Sequence, residues 1–292
     1  MIGALLLDKP EGLTSHDVVA RVRRVLGTRA VGHTGTLDPF ATGLLVVLLG
    51  RATRLARFVE SSDKTYLAVA RLGARTATDD RTGAALGEPA DVSGLSETVV
   101  RNALVGLGGS GRQRPPAYSA KRVAGERSYR LARRGQVVDL AEVPVTVHRI
   151  ELTEWRPPEV GFRATVSAGT YLRALARDLG EVLGVGGHLT ALRREAIGGL
   201  RVEEAVPLDR LAPDTPLVPL TRILAHLPTV ELDESTRAAV RHGRAVADQA
   251  DRRTGGPADG VAHVALLAGG NLIGVARSEG AWLKPVVVLE SP

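Results

Sequence analysis

The chain reads as an α/β protein (in the α+β sense), with one domain over residues 1–220 and a small β-rich module over 229–292. Three observations predict this. Short apolar runs of strand length alternate with amphipathic helical stretches through the first two hundred or so residues. Pro213, Pro216, Pro219 and Pro228 then mark a boundary near 213–229. Beyond it, apolar segments at 261–267, 272–277 and 283–289 are separated by turn-prone residues, as strands in a small sheet would be. At 292 residues, 44% hydrophobic and 24% charged, the chain is long enough for two domains and a sizeable core.

Each element has a local reason. Gly3 to Asp8 is a continuous apolar run and reads as a buried strand. Thr14 or Ser15 then caps a helix over Asp17–Leu26, with the Asp17 carboxylate placed favourably near its N-terminus. Leu44–Leu49 is a short, wholly apolar strand, and Ala52–Val59 a short helix. Lys64–Leu72 alternates with period two, which puts Tyr66, Ala68 and Ala70 on one face. Residues 73–95 are polar and turn-rich, and Ser96 caps a helix to Leu107. A Gly/Pro-rich basic excursion at 107–143 interrupts the fold, and insertions of this length in compact domains are commonly functional or disordered. Strands at Val145–Trp155 and Val160–Ala168 follow, then a helix capped by Thr170 with Leu172, Leu175, Ala176, Leu179, Val182 and Leu183 as its apolar stripe. In the distal module, Asp233–His242 reads as a helix and 247–260 as a polar Gly/Pro stretch.

Composition narrows the chemistry. The chain has no cysteine, which excludes disulfides, thiolate zinc sites and thiol catalysis. The seven histidines show no ligand spacing, so no metal and no cofactor are expected. No apolar run approaches the roughly 20 residues that span a bilayer. The N-terminal run lacks a basic flank and meets Asp8 at once, so it reads as a strand and not a signal peptide; a cytoplasmic protein is the expectation. Net charge is +6, which permits an anionic partner. Residues 112–134 hold Arg112, Arg114, Lys121, Arg122, Arg127, Arg130, Arg133 and Arg134 against Glu126 alone, a net +7 that exceeds the whole chain's +6. A solvated helix face would interleave acids at i,i+4, so this segment points to phosphate binding. The distal module, with seven basic and eight acidic residues, gives no such electrostatic signal.

Two motifs are decoys. Gly106–Gly111 satisfies G-x-G-x-x-G, yet it follows a helix and precedes Arg-Gln-Arg-Pro-Pro, the wrong setting for a dinucleotide. Ser15-His16-Asp17 has the residue types of a hydrolytic triad, but consecutive side chains at a helix start diverge.

The stretch Gly32-His33-Thr34-Gly35-Thr36-Leu37-Asp38-Pro39-Phe40-Ala41-Thr42-Gly43 is the most informative. It sets one acid, Asp38, among glycines that allow unusual backbone conformations and close approach of another chain. The following proline favours an extended or turn geometry at the acid. With Leu7–Gly12, Asp63–Tyr66, Gly169–Arg173 and Gly187–Arg194, all in order, it resembles the TruB-type tRNA pseudouridine synthase family over about residues 3–212.

The resemblance implies a mixed, mainly antiparallel central sheet of the pseudouridine synthase type, with 107–143 as an RNA-gripping insertion and 229–292 similar to a PUA domain. It implies isomerisation of uridine 55 in the tRNA T loop without a cofactor, with Asp38 as the essential carboxylate. Attack at ribose C1′, attack at base C6 and a glycal route all stay open. Arg173 is the implied counter-charge. A cation in the first turn opposes the helix dipole, at a cost of roughly 0.3–1 kcal/mol, and this makes sense if Arg173 faces a buried anion. By the same resemblance Tyr66 stacks on the flipped base and is a catalytic residue that takes the C5 proton, Tyr171 lines the pocket, His33 contacts RNA where the base has left, and Leu192 closes the pocket. Lys9 and Pro10 support the Asp38 loop from beneath. In the insertion Arg112, Arg114, Lys121, Arg122, Arg127 and Arg130 would grip the T arm, with the insertion mobile until RNA binds. A monomer bound to tRNA, with no membrane or metal, is expected. The rival readings are the catalytic subunit of a guide-RNA-dependent complex, a class that generally lacks the basic insertion, and a non-catalytic RNA chaperone.

Overall fold

The computed structural model describes the chain except residues 120, 124–125, 129–133, 135–139, 249–252, 256–261 and 291–292, with 122–123 and 126–127 described by backbone alone. By packing, it divides into two units: Met1–Pro39 with Gly43–Ser61 and Ile197–Pro292, and Phe40–Thr42 with Ser62–Ala196.

In the first unit, the strand Gly3–Lys9 pairs antiparallel with Thr42–Leu49, from Gly3 opposite Leu49 to Lys9 opposite Gly43. Its other edge pairs parallel with Val206–Pro207. The continuous apolar runs of these strands follow from burial on both faces. Ala4, Leu6, Leu44, Val46 and Leu48 point into one cluster with Ile223, Leu224, Ala265, Val275 and Val287. Leu5, Leu7, Leu45, Val47 and Leu49 point the other way, onto Val18, Val19 and Val22 of the helix Ser15–Leu26. The proline-marked stretch 213–229 therefore lies inside this unit, because the distal strands bury apolar residues against the first strands of the chain.

The Ser15–Leu26 helix starts at a capping box. Asp17 N–H donates to Thr14 Oγ1 at 3.1 Å, and Thr14 N–H donates to Asp17 Oδ2 at 2.8 Å. Gly27 ends the helix at φ 59°, in the left-handed region. The expected 52–59 helix is a 3₁₀ turn over Gly50–Leu55 followed by an α-helix over Ala56–Glu60. The distal sheet runs Thr229–Glu231, His263–Ala268, Asn271–Glu279, Trp282–Val288, Val246–Ala247, parallel at the first pair and antiparallel elsewhere. A helix over Glu234–Arg241, capped by Asp233, packs on its core through Val240.

In the second unit the strands order as Gly187–Ile197, Lys64–Leu72, Glu159–Val166, Val143–Arg156 and Gly109–Gln113. Lys64–Leu72 alternates as expected, with Tyr66, Ala68, Ala70 and Leu72 buried. Gly109–Gln113 corrects the sequence reading: it is an edge strand paired antiparallel with Val143–Val147, so the excursion begins at Arg114. Gly-Ser-Gly-Arg-Gln has neither apolar alternation nor strand-forming residues, and the partner strand supplies its order. The 106–111 glycines accordingly link a helix end to this strand, in the reverse order of a dinucleotide loop. Among the described residues, no helix is long and apolar enough to cross a membrane.

The helix Leu172–Val182 buries Leu172, Arg173, Leu175, Ala176, Leu179 and Gly180. Gly180 is where it presses on the turn entering Gly187–Ile197, since a Cβ there would sit 2.1 Å from the Gly186 carbonyl carbon and 2.2 Å from Gly187 N. Glycine to alanine in a free helix is worth about 1 kcal/mol of stabilisation. Here the sign reverses. Gly180→Ala is expected to lower unfolding free energy in urea by about 1–3 kcal/mol through overpacking against backbone, and a stability equal to or above wild type would refute this close contact.

Candidate active site

The Asp38 loop is fastened on both sides of the acid. Before it, Ser15 Oγ accepts from Leu37 N–H at 2.9 Å and donates to Leu37 O at 3.2 Å. After it, Pro39 O accepts from Gly12 N–H at 2.8 Å. Lys9 Nζ also reaches Pro39 O, at 3.4 Å, and donates to Pro10 O at 2.9 Å and Leu13 O at 2.7 Å. Lys9 is wholly buried, and these carbonyls are among the partners of its ammonium. Of the two residues read as support for this loop, Lys9 is buried and reaches it through Pro39 O, whereas Pro10 is exposed and offers its carbonyl to Lys9. Lys9 Nζ thus bonds the main chain one residue past the carboxylate-bearing position.

Asp38 itself is half-buried. Gly35 and Gly43 take φ of 110° and 101°, conformations costly for any other residue. Gly32 does not: it lies in the strand Val31–His33, where a Cβ would make an ordinary contact. Half-buried His33 packs edge-on to His16, ring centroids 5.4 Å apart. Ser15 and Asp17 face Leu37 and Thr14, so the apparent triad is a loop anchor and a helix cap.

The second unit carries the other implied residues. Tyr66 is buried on the strand Lys64–Leu72, and Leu192 is buried on Gly187–Ile197. Tyr171, not Thr170, is the N-cap of the Leu172–Val182 helix, which moves Arg173 from the third to the second helical position. The buried side chain of Gln113 explains the shift. It accepts from Tyr171 N–H at 2.9 Å and donates to Tyr171 O at 3.2 Å, replacing a side-chain cap with a contact from a distant strand.

Arg173 remains in the first turn, against the helix dipole, and its side chain is 6% exposed. It donates to Thr78 O at 3.0 Å and Tyr118 O at 2.9 Å, and its Nη1 lies 3.4 Å from Asp80 Oδ2. Asp80 is buried as well, and its Oδ1 accepts from Thr78 Oγ1, Thr82 N–H and Thr82 Oγ1 at 2.8, 2.9 and 2.6 Å. Three donors on one oxygen leave the other to the guanidinium, the full satisfaction that a buried ion pair needs. Sequence reasoning missed Asp80, Gln113 and the anchoring role of Ser15. The only available signal for Asp80 was a polar Thr76-Ala77-Thr78-Asp79-Asp80-Arg81-Thr82-Gly83 stretch, rich in side chains that bond nearby backbone.

Of the basic residues, Arg112 lies exposed on the edge strand, donating to Glu142 O at 3.0 Å with its Nε 3.5 Å from Glu142 Oε2. Arg114 and Lys121 are exposed. Arg122 and Arg127 sit opposite one another in a two-stranded ribbon, Arg122–Val123 with Glu126–Arg127. Arg130 and Arg133 lie outside the described residues.

Residues 23–172 match the family described as TruB family pseudouridylate synthase (N terminal domain), and residues 173–215 match the tRNA pseudouridylate synthase B C-terminal domain. The tRNA pseudouridine synthase B of Thermobifida fusca (strain YX) is 44% identical over 297 residues, covering 98% of each protein. That of Arthrobacter sp. (strain FB24) is 42% identical over 295 residues, covering 98% of this chain and 96% of the relative. A chain solved in a Cbf5-Nop10-Gar1 complex superposes with a TM-score of 0.75 at 27% identity, covering 99% of this chain and 85% of the other. With the anchored acid in its motif, and with identity of this level along nearly the whole length, the chain belongs to the TruB family of pseudouridylate synthases.

Proposed function

We propose that this protein isomerises uridine 55 in the T loop of tRNA to pseudouridine, acting alone and without a cofactor. The observation that carries the reading is the fastening of Asp38 at Leu37 and Pro39 by Ser15, Gly12 and Lys9. A carboxylate borne between two peptide groups held in this way suits a reaction whose rate depends on position. In that reaction the C1′–N1 bond breaks, the uracil turns, C5 joins C1′, and the C5 hydrogen leaves to solvent as N1 gains a proton. The first step at Asp38 is attack at C1′, attack at C6 or assistance to a glycal.

The other roles follow the family resemblance. Extruding the uridine costs a few kcal/mol, and stacking on an aromatic returns roughly 1–3 kcal/mol. Tyr66 takes that place, with Tyr171, His33 and Leu192 around the base. Arg173 supplies the counter-charge to the Asp38 carboxylate, and its burial beside Asp80 supports a role in ordering charge. Arg112, Arg114, Lys121, Arg122, Arg127 and Arg130 grip the phosphates of the T arm. Residues 1–220 carry the catalytic machinery, and 229–292 act as a PUA-like module that shares a core with the first strands of the chain. The protein works as a cytoplasmic monomer.

Solved relatives include chains from assemblies such as a Cbf5-Nop10-Gar1 complex, so a guide-RNA-dependent role is the rival. The +7 segment at 112–134 favours the stand-alone reading.

The purified protein, incubated alone with a T-arm hairpin tritiated at uridine C5, is expected to release tritium, and Asp38→Asn to release none while binding the hairpin normally. Absence of release by the wild type excludes the stand-alone enzyme; release by the variant removes Asp38 from the chemistry. Replacing Arg122 and Arg127 by Ser is expected to weaken hairpin binding and to flatten the plot of log affinity against log salt by about 1–2. An unchanged slope would show that these two side chains do not contact phosphate.

A further inference from the structure

Asp79 is the one non-glycine residue with positive φ, 57°, among the described residues. Aspartate tolerates this region better than most residues, yet the conformation is still sparsely populated. Its consequence is geometric: the carboxylates of Asp79 and Asp80 diverge to two different arginines. Asp80 Oδ2 faces Arg173 at 3.4 Å, and Asp79 Oδ2 accepts from Arg177 Nη1 at 3.1 Å. Arg173 and Arg177 are four residues apart and share one side of the Leu172–Val182 helix.

The same two arginines also hold a second segment. Arg177 Nη2 donates to Arg114 O at 3.0 Å, and Arg173 Nη2 donates to Tyr118 O at 2.9 Å, so carbonyls four residues apart meet guanidiniums four residues apart. Arg114 is the first residue after the edge strand, where the basic excursion begins. Arg177 is further tied to Asp178 Oδ1 through Nε at 2.9 Å and Nη2 at 2.7 Å. Burial pushes the carboxyls of Asp79 and Asp178 above the ordinary aspartate range despite Arg177, so the guanidinium is what keeps the pair tolerable there.

We propose that Arg177 is a positioning residue for the isomerisation, linking the start of the basic excursion to the setting of Arg173. Through Asp79 it holds the turn that presents Asp80 to Arg173. Through the Arg114 carbonyl it fixes the root of the segment that grips RNA. The proposal rests on the function assigned above and names no contact of Arg177 with substrate.

The two arms separate experimentally. Arg177→Met removes both arms and keeps the side-chain stem; Asp79→Asn weakens only the arm to Asp80 and leaves the Arg114 contact. Arg177→Lys keeps the charge but lacks the planar fork. For each variant, thermal melting gives the folded fraction, filter binding gives the hairpin Kd, and single-turnover tritium release at saturating hairpin gives the rate. Arg177→Met is expected to lose about tenfold in rate and to bind several-fold more weakly. Asp79→Asn should lose a similar factor in rate with unchanged Kd, and Arg177→Lys should not restore either property in full.

A folded Arg177→Met protein with wild-type rate, or with only one of the two properties altered, overturns the coupling. Should Arg177→Met not fold, Asp79→Asn decides: an unchanged rate or a shifted Kd overturns the proposal. A wild type without tritium release removes the assigned function, and the proposal with it, whereas an active wild type beside an unaffected variant refutes the proposal alone.

Discussion

A fully buried ammonium, that of Lys9, underlies the arrangement of the Asp38 loop. A lysine in this position without partners would lose its proton or unfold its surroundings, because desolvating the charge costs several kcal/mol. Three main-chain carbonyls, Pro10, Leu13 and Pro39, meet it instead. They come from the end of the first strand, the turn before the first helix and the residue after Asp38. Satisfying one charge therefore ties together three segments, and the acid sits on one of them. Ser15 completes the restraint by holding both polar groups of Leu37, so the two peptide neighbours of Asp38 are each fixed by the same short stretch, residues 9–15.

The second unit uses the same device with the signs arranged differently. Arg173 is buried beside Asp80, whose other oxygen already accepts three hydrogen bonds. Such a pair contributes little net stability against an apolar replacement, and losing one partner would be expensive. Its value is orientation. Gln113 acts alike on uncharged groups, fixing the backbone of Tyr171 from a strand 58 residues away in sequence. In each case hydrogen bonds or an ion pair make a buried polar side chain tolerable.

Much of this was legible in the sequence, and the exceptions share a cause. The Lys64–Leu72 strand declares itself by alternation, and the Ser15–Leu26 helix by a cap at Thr14 or Ser15 with Asp17 near its N-terminus, whereas its left-handed Gly27 end comes from the fold. Asp38 stood out through its motif, and Lys9 was read as support for the loop. The edge strand Gly109–Gln113 did not show, because its order comes from Val143–Val147 and not from its own residues. The N-cap falls at Tyr171, one residue past Thr170, where the distant Gln113 holds the backbone. Asp80 and Arg177 stayed hidden for the same reason: their meaning depends on a left-handed turn at Asp79, which no residue type announces. Local signals reported local structure, whereas roles set by tertiary partners needed the fold.

The role proposed for Asp38 depends on the position of its carboxylate and not merely on its charge. Asp38→Glu tests it most directly, since it keeps the charge and moves the carboxylate by one methylene on an anchored loop. In single-turnover tritium release at saturating T-arm hairpin, the account predicts a loss of at least about hundredfold with hairpin affinity unchanged, the scale on which misplacement of about 1 Å acts. A rate within a few-fold of wild type would contradict it.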